Sequence, residues 1–268
     1  MVAMTRVVED SDITLSSRYE CKYLISPLLV PEIREFIQPF MQPDRFAALR
    51  EGHRYPVCSL YLDSQDLLLY QQTVGGEKNR FKLRIRSYSD LWSSPVFFEV
   101  KRKINNIVQK RRARLVRCDA ADFLEQRMDG SGFHAVPTPA DDLEYFACHM
   151  ELAAARPLLR VRYRREAYES KGGDPVRITI DTELMHAVTL DTDLSHEHGR
   201  WVSTPVDGNI LEIKFTEMFP SWIRDLVQMF GLKQQPVPKY VMSVDHMMLE
   251  GRESVLNLAG FTMPVRRA

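Results

Sequence analysis

The sequence predicts an α+β fold in which helices surround an antiparallel β-sheet. Two observations support this class: stretches of alternating polar and apolar residues recur along the chain, and segments with helical periodicity lie between them. With 268 residues, of which 44% are hydrophobic and 27% charged, the chain has the composition of a globular protein. We expect a single domain over residues 1–268, with its core at about 15–250.

Eight segments are predicted as strands. Each has one apolar and one polar face, because successive side chains of a strand point to opposite sides. In chain order the segments are RYECKYLI, VCSLYLDS, RFKLRIRSY, VFFEVKRK, KRRARL, LLRVRYRR, VRITID and ILEIKF. Asn105 and Asn106 predict a turn between the fourth and fifth strands.

Five segments are predicted as helices. The first covers 26–40, where Ser26 and Pro27 are typical of an N-cap and a first helical position. The others are 120–128, 139–155, 219–230 and 240–250. Their apolar faces need apolar surfaces to cover, and the strands offer them.

Charge is balanced over the whole chain but segregated within the strands. Lys+Arg and Asp+Glu both count 36, so net charge favours neither a nucleic-acid nor a membrane partner. The polar strand faces, however, carry many cations: Arg18, Lys22, Lys82, Arg84, Arg86, Lys101, Lys103, Lys110, Arg112, Arg114, Arg160, Arg162, Arg164, Arg177 and Lys214. The carboxylates on the same faces are fewer: Glu20, Asp63, Glu99, Asp181 and Glu212.

This segregation has two interpretations. If helices cover the apolar faces, the basic faces point toward the axis of a closed or nearly closed barrel. Such an interior must hold water or a polyanion, because an isolated buried charge is costly. An open sheet with its basic face in solvent fits the same alternation, and periodicity does not decide between the two.

The cysteines and the N-terminal segment bear on the compartment. Cys21, Cys58, Cys118 and Cys148 form no CxxC pair, which indicates reduced thiols in a cytosolic protein. The first residues, MVAMTRVVEDSD, lack the apolar run of a signal peptide, and no stretch reaches the ~18 apolar residues of a membrane span. We therefore expect a cytoplasmic protein. A membrane-protein partner stays open, and the oligomeric state is not indicated.

The ordered set of strand motifs resembles a known family. RYECKYLIS, SLYLDS, FKLRIRSY, FFEVKRK, LRVRYRREAY, VRITIDTEL, LEIKF and VPKYVMS occur in the order characteristic of the VTC domain. This is the polyphosphate polymerase domain of the triphosphate tunnel metalloenzyme superfamily, which also contains the CYTH proteins. The resemblance covers about residues 15–245. It implies an eight-stranded antiparallel β-barrel, the triphosphate tunnel, lined by basic residues and surrounded by helices.

The resemblance also implies which residues form the site. The catalytic cations would be Arg84, Arg86, Lys101 and Lys239. Further substrate-binding cations would be Lys22, Lys82, Lys110, Arg160, Arg162, Arg177 and Lys214. A divalent metal, Mn²⁺ or Mg²⁺, would be held by Glu212, with Glu20 and Glu99 as further candidates. Similar proteins often carry a second lysine shortly after Lys239, and this chain instead continues with Tyr240, Val241 and Met242, a departure that bears on product handling.

The implied reaction is metal-dependent transfer of the ATP γ-phosphate to a growing inorganic polyphosphate chain. The superfamily also contains hydrolases and cyclases, so a tripolyphosphate or nucleoside triphosphate hydrolase is an alternative. A non-catalytic domain that binds polyphosphate or inositol phosphate is another. Phosphoryl transfer depends mainly on positioning and charge stabilisation, which suits a basic interior. We expect no nucleic-acid partner, because aromatic residues do not interleave with the basic faces as a stacking platform requires.

Two smaller features have alternative interpretations. Glu20 and Glu99 could pair with neighbouring cations instead of binding a metal. The spacing of His196 and His198 is compatible with a transition-metal site, but the surrounding Asp, Ser and Gly residues favour an ordinary loop.

Overall fold

The computed structural model describes residues 19–105, 107–128, 142–173, 175–216, 219–251 and 260–262. The strands are β1 (Tyr19–Ile25), β2 (Met41–Pro43), β3 (Arg54–Asp63), β4 (Asn79–Ser87), β5 (Pro95–Ile104), β6 (Ile107–Val116), β7 (Arg156–Ser170), β8 (Arg177–Val188), β9 (Val202–Ser203) and β10 (Asn209–Phe215). The helices are α1 (Val30–Ile37), α2 (Leu68–Val74), α3 (Arg117–Met128), α4 (Asp142–Leu152), α5 (Ser221–Met229) and α6 (Lys239–Leu249).

The eight long strands form one antiparallel sheet in the order β1-β10-β8-β7-β3-β4-β5-β6, to which β2 and β9 add short edges. The predicted α+β class and the eight antiparallel strands with surrounding helices are confirmed. One detail differs from the expected barrel. Within the described residues the terminal strands β1 and β6 do not pair with each other, so the sheet is tunnel-like but is not closed into a barrel.

The helices lie close to their predicted positions. Ser26 accepts a hydrogen bond from the backbone N–H of Leu28, and a short 3-10 turn (Pro27–Leu29) leads into α1. The third predicted helix is α4, and residues 139–141 of that prediction lie outside the described residues. Helix α2 and the short strands β2 and β9 were not predicted. Among the described helices, none has both the length and the apolar character needed to cross a bilayer.

Two apolar clusters cover the outer surface of the sheet. In one, Leu83 and Phe98 of β4 and β5 pack with Phe146 of α4. In the other, Ile178 and Ile213 of β8 and β10 pack with residues of α1 and α5. The outer faces of these strands are therefore the apolar faces of the sequence pattern, and their basic faces point inward.

A third apolar cluster includes the inner faces of β3 and β7. Val57 and Val161 of these strands lie in one buried cluster with Val244 of α6. Tyr61 of β3 stacks on Tyr240 of α6 with ring centroids 4.7 Å apart. Helix α6 thus fills part of the space inside the curved sheet. We refer to the remaining inner space as the tunnel.

Candidate functional site

Strands β4, β5 and β6 place cations in rows on the tunnel face. Arg84 lies opposite Glu99, and Lys82 lies opposite Lys101, which in turn lies opposite Lys110. Residues directly opposite each other on antiparallel strands project to the same side of the sheet. Like charges in this arrangement repel each other, so the row Lys82, Lys101 and Lys110 favours an anion between them.

The other wall of the tunnel holds two carboxylates that share two lysines. The Nζ of Lys22 lies 2.7 Å from Glu20 Oε1 and 3.6 Å from Glu212 Oε2. The Nζ of Lys214 lies 2.6 Å from Glu212 Oε1 and 3.8 Å from Glu20 Oε2. Strand register explains the arrangement, because Glu20 is opposite Lys214 and Lys22 is opposite Glu212 on β1 and β10. The four groups form a compact square of alternating charge.

Glu99 organises the cations of the opposite wall. Its side chain is 1% exposed and contacts Arg84 Nε at 2.6 Å, Lys110 Nζ at 2.9 Å and Arg112 Nε at 3.3 Å. Burial alone would raise the pKa of Glu99, but Arg84, Arg86, Lys110 and Arg112 outweigh it and hold the pKa well below its usual value. Glu99 is therefore a fixed anion that orders three cations.

A second buried carboxylate, Asp181, anchors the start of α6. Arg165 binds it with both prongs of the guanidinium, at 2.7 and 2.8 Å. The Nζ of Lys239 lies 2.7 Å from the same carboxylate and 4.9 Å from the ring centroid of Tyr163. Lys239 therefore reaches the tunnel from a helix, as a cation added to those of the strands.

Arg86 and Arg177 also face the tunnel but have different partners. Arg86 is buried and donates to Ser59 Oγ at 3.2 Å and to Tyr163 Oη at 3.3 Å. Arg177 is opposite Lys214 and lies 2.6 Å from Asp44 Oδ2. Both guanidinium groups retain further N–H donors beyond these contacts, because each carries five.

Arg160 and Arg162 do not lie in the tunnel, contrary to the prediction. Arg160 is 3% exposed and donates to Thr189 Oγ1 at 2.7 Å and to Asp193 Oδ2 at 2.6 Å. Arg162 lies over the ring of Trp201, at 4.4 Å from its centroid. The loop after β8 thus covers both guanidinium groups on the outer side of the sheet.

Strand register gives the reason for this correction. Val161 is opposite Ser59, and Ser59 is opposite Arg86, so Val161 and not its neighbours faces inward. The inner side of β7 packs against α6 and is therefore apolar, whereas its outer side meets a loop that supplies carbonyl and carboxylate acceptors. The assumption that every polar strand face points inward fails at this strand.

Two tunnel residues were missed by sequence reasoning. Arg165 follows Arg164 directly, and successive residues of a strand face opposite sides of the sheet. One of these two arginines therefore had to face inward, and the sequence contained that signal. Tyr61 lies two residues before Asp63 and so on the same polar strand face, but a structural role was predicted for it. Its phenol accepts from Arg84 at 3.4 Å, and although burial would raise its pKa, Arg84, Arg86 and Lys82 lower it to about 8.

Three lysines on one wall of the tunnel, Lys82, Lys101 and Lys110, have pKa values below the usual value of lysine. Burial is the main cause for Lys82, with added repulsion from Lys101, Lys22 and Arg80, and together these lower its pKa to about 8. The pKa values of Lys101 and Lys110 are also lowered, first by burial. The charged form of these three lysines is therefore less stable in the empty tunnel than in water, and a bound anion would stabilise it.

Sequence comparison agrees with this geometry. The model of the VTC domain family matches residues 17–248. The chain belongs to the VTC domain family.

Solved structures of similar fold include the PH1819 protein from Pyrococcus horikoshii OT3. It shares 14% sequence identity, with 88% of this chain and 99% of that chain covered, at a TM-score of 0.42. Another is the putative adenylyl cyclase HpAC1 from Hippeastrum, described as having a dominant triphosphatase activity. It shares 11% identity, with 86% of this chain and 96% of that chain covered, at a TM-score of 0.47.

The carboxylates of this VTC domain differ in how well they suit a divalent metal. Glu20 and Glu212 share two lysines. Burial and then repulsion from Glu212 tend to raise the pKa of Glu20, but Lys101, Lys22 and Lys214 outweigh them and lower it to about 2. Two ionised carboxylates so close together supply the hard oxygen ligands that Mg²⁺ and Mn²⁺ prefer. Glu99 fits less well, because its ion pairs in the described part of the chain are with Arg84, Lys110 and Arg112, whereas Glu20 and Glu212 each have a second carboxylate beside them.

Proposed function

We propose that this VTC domain is a phosphotransferase that extends inorganic polyphosphate with the γ-phosphate of ATP. The observation that carries the proposal is the row of inward-facing cations Lys82, Lys101 and Lys110, which lie opposite one another on β4, β5 and β6. Such an interior favours a ligand with several closely spaced negative charges, as in triphosphate and polyphosphate.

The arginines and lysines of the tunnel would have different roles, because their side chains differ in shape and hydrogen-bonding geometry. Arg84 and Arg86 present planar forks that hold phosphate oxygens in a fixed orientation, and Lys101 and Lys239 act as point charges. Charge in the loose transition state lies on the equatorial oxygens of the transferring group, where these cations would stabilise it. The bond from the γ-phosphorus to the bridging oxygen breaks, and ADP leaves as a terminal phosphate oxygen of the polymer bonds to that phosphorus.

The protonation states favour a phosphate acceptor over water. A terminal phosphate oxygen is already ionised at neutral pH and needs no general base, whereas attacking water must lose a proton. The nearby carboxylates are poor bases, because the pKa of Glu20 is about 2 and those of Glu99 and Glu212 lie well below the usual value.

Glu20 and Glu212 would hold the divalent cation. When bound, Mn²⁺ or Mg²⁺ supplies positive charge to phosphate oxygens. The lysines of the square, Lys22 and Lys214, would then turn from these carboxylates toward the phosphate chain, because the cation replaces them as counter-charge.

Triphosphate hydrolysis is the second candidate, and one observation favours it. Lys82 has a pKa of about 8, so part of its population is neutral near physiological pH and able to accept a proton from water. In that case Lys82 acts as the base, and water replaces the polymer as the acceptor.

One experiment separates the candidates. Purified protein is incubated with ATP and Mn²⁺ or Mg²⁺, with and without a short polyphosphate primer, and ADP, free phosphate and polymer are quantified. ADP with polymer supports the phosphotransferase, and ADP with equal free phosphate supports the hydrolase. Saturable triphosphate binding without turnover would leave a binding domain and contradict both enzymatic proposals.

A further inference from the structure

Two histidines and a glutamate come together at the C-terminal end of α6. His186 lies on β8, His246 on the last turn of α6, and Glu250 directly after that helix. One potential ligand atom from each lies within 4.8 Å of the other two. The two imidazole rings are 5.5 Å apart between centroids and nearly perpendicular, at 76°.

The ring of His186 is held in a fixed orientation. His186 is 1% exposed, and its Nδ1 lies 2.8 Å from the hydroxyl of Thr204, which in turn lies 3.3 Å from the hydroxyl of Ser243 on α6. If Nδ1 donates to Thr204, Nε2 carries the lone pair that binds a metal. Metal-binding histidines are typically oriented by such a hydrogen bond from the other ring nitrogen.

His246 and Glu250 supply the other two donors. They are separated by one helical turn and so face the same direction. The Nδ1 of His246 is buried and has no hydrogen-bond partner in the described part of the chain, and the Oε1 of Glu250 lies 4.0 Å from it. A cation between these atoms would satisfy a nitrogen that is otherwise removed from water.

We propose that His186, His246 and Glu250 bind one transition-metal ion of the Zn²⁺ type. Two imidazoles and one carboxylate, with a fourth position open to water, form a common tetrahedral donor set for Zn²⁺. Bonds of about 2.0–2.2 Å would bring the donor atoms to roughly 3.5 Å from one another. Glu250 is exposed and can rotate to close that difference. Imidazole ligands select against Mg²⁺, which distinguishes this site from the carboxylates of the tunnel.

A metal at this site would attach the C-terminal end of α6 to β8, and the N-terminal end of α6 is already attached to that strand. At the start of α6, Lys239 binds Asp181 of β8, and at its end His246 faces His186 of the same strand. A metal bound only by the folded chain stabilises that chain in proportion to its occupancy. Zn²⁺ should therefore raise the melting temperature by fastening α6 inside the sheet.

The test is Zn²⁺ titration of tag-free protein, followed by calorimetry and native mass spectrometry in excess Mg²⁺, which competes with Zn²⁺ for the tunnel carboxylates. We expect one Zn²⁺ per chain and a rise in melting temperature. His246→Gln and Glu250→Gln should each weaken Zn²⁺ binding at least tenfold and reduce the thermal shift. The matched control is His198→Gln, which removes an exposed histidine and should leave both unchanged.

Two results would overturn the site: wild-type protein that retains no Zn²⁺, or wild-type Zn²⁺ affinity in both variants. Glu250→Gln changes an exposed side chain, so its interpretation does not depend on a buried substitution folding correctly.

Discussion

The carboxylate of Glu20 on β1 and the ammonium of Lys101 on β5 lie 3.5 Å apart, although no backbone ladder joins their strands. Among the described strands β1 pairs with β10, whereas β5 pairs with β4 and β6. The two walls of the tunnel therefore meet through side-chain charges. Lys101 retains 41% exposure of its side chain, so this meeting point is wet.

Replacing Lys101 by Met should weaken triphosphate binding while leaving the fold intact. Loss of a charge-assisted hydrogen bond costs about 1.5–3 kcal/mol, or roughly a 10- to 150-fold rise in Kd. The free energy of unfolding should change by less than ~1 kcal/mol, because the partly exposed amine of Lys101 is enclosed by the tunnel walls, and this enclosure, with repulsion from Lys22 and Lys214, already lowers its pKa in the folded protein. Triphosphate titration and denaturant unfolding measure the two effects.

The matched control is Arg102→Met, which removes an exposed cation from the opposite face of the same strand. It should leave Kd within about twofold of wild type, as expected for a screened surface charge. Equal Kd values for wild type and Lys101→Met would mean that this lysine does not face the bound anion.

Glu212→Gln should remove most metal-dependent turnover. The substitution keeps the size of the side chain but removes one of the two ionised carboxylates that suit a hard cation. Glu20 remains to pair with both Lys22 and Lys214, so the protein should stay folded. Turnover measured across a Mn²⁺ titration should fall at least tenfold, whereas Glu183→Gln, at an exposed ion pair, should match wild type. Unchanged turnover in Glu212→Gln would contradict the assignment.

Glu99→Gln should behave differently, because Glu99 orders cations. Removing its charge leaves Arg84, Lys110 and Arg112 without their shared anion, and breaking a buried ion pair costs about 3 kcal/mol or more. We expect a lower melting temperature that triphosphate partly restores, since the bound anion takes over the counter-charge. Differential scanning with and without triphosphate tests this. A variant as stable as wild type without ligand would contradict the role of Glu99.

The titration of Lys82 predicts a specific pH dependence. Its pKa is about 8 in the folded protein against 10.5 ordinarily, so between these values the unfolded chain holds more protons than the folded one. The free energy of unfolding of the ligand-free protein should therefore gain a contribution that rises with pH from about 8 to 10.5. Triphosphate favours the charged amine, so its affinity should fall over the same range.

Lys82→Met should flatten both pH profiles, while Lys233→Met, at an exposed lysine, should leave them unchanged. Tyr61 also has a pKa of about 8, and Tyr61→Phe separates its contribution. Superimposable profiles for wild type and Lys82→Met would exclude Lys82 as the titrating group.

The alternation of residues predicted the inner face correctly wherever a helix covers the outer one. On β4, β5 and β10 the helices lie outside, and residues such as Arg84, Lys101 and Glu212 point inward as expected. On β7 the helix lies inside, and the same pattern placed Arg160 on the wrong side. Amphipathicity identifies the two faces of a strand but not which partner each face will meet.

The sequence did not predict which charged residues form ion pairs with each other, and the reason is different. The contact between Glu20 and Lys101 depends on how far the sheet curves, because the two strands lie nearly at opposite ends of its order. Likewise, Lys239 meets Asp181 only because α6 turns into the space inside the sheet. Local patterns do not determine such distances, since these depend on the packing of the whole domain.

The ionic contact between β1 and β5 has a consequence for long polymers. Separating two hydrogen-bonded strands requires breaking a ladder, whereas an ion pair in water separates and reforms at a cost of about 1 kcal/mol or less. Among the described strands, β1 can therefore move away from β5 and return while every backbone ladder of the sheet stays intact. A phosphate polymer much longer than the domain could be laid in sideways at any point along its length, with no need to thread a free end.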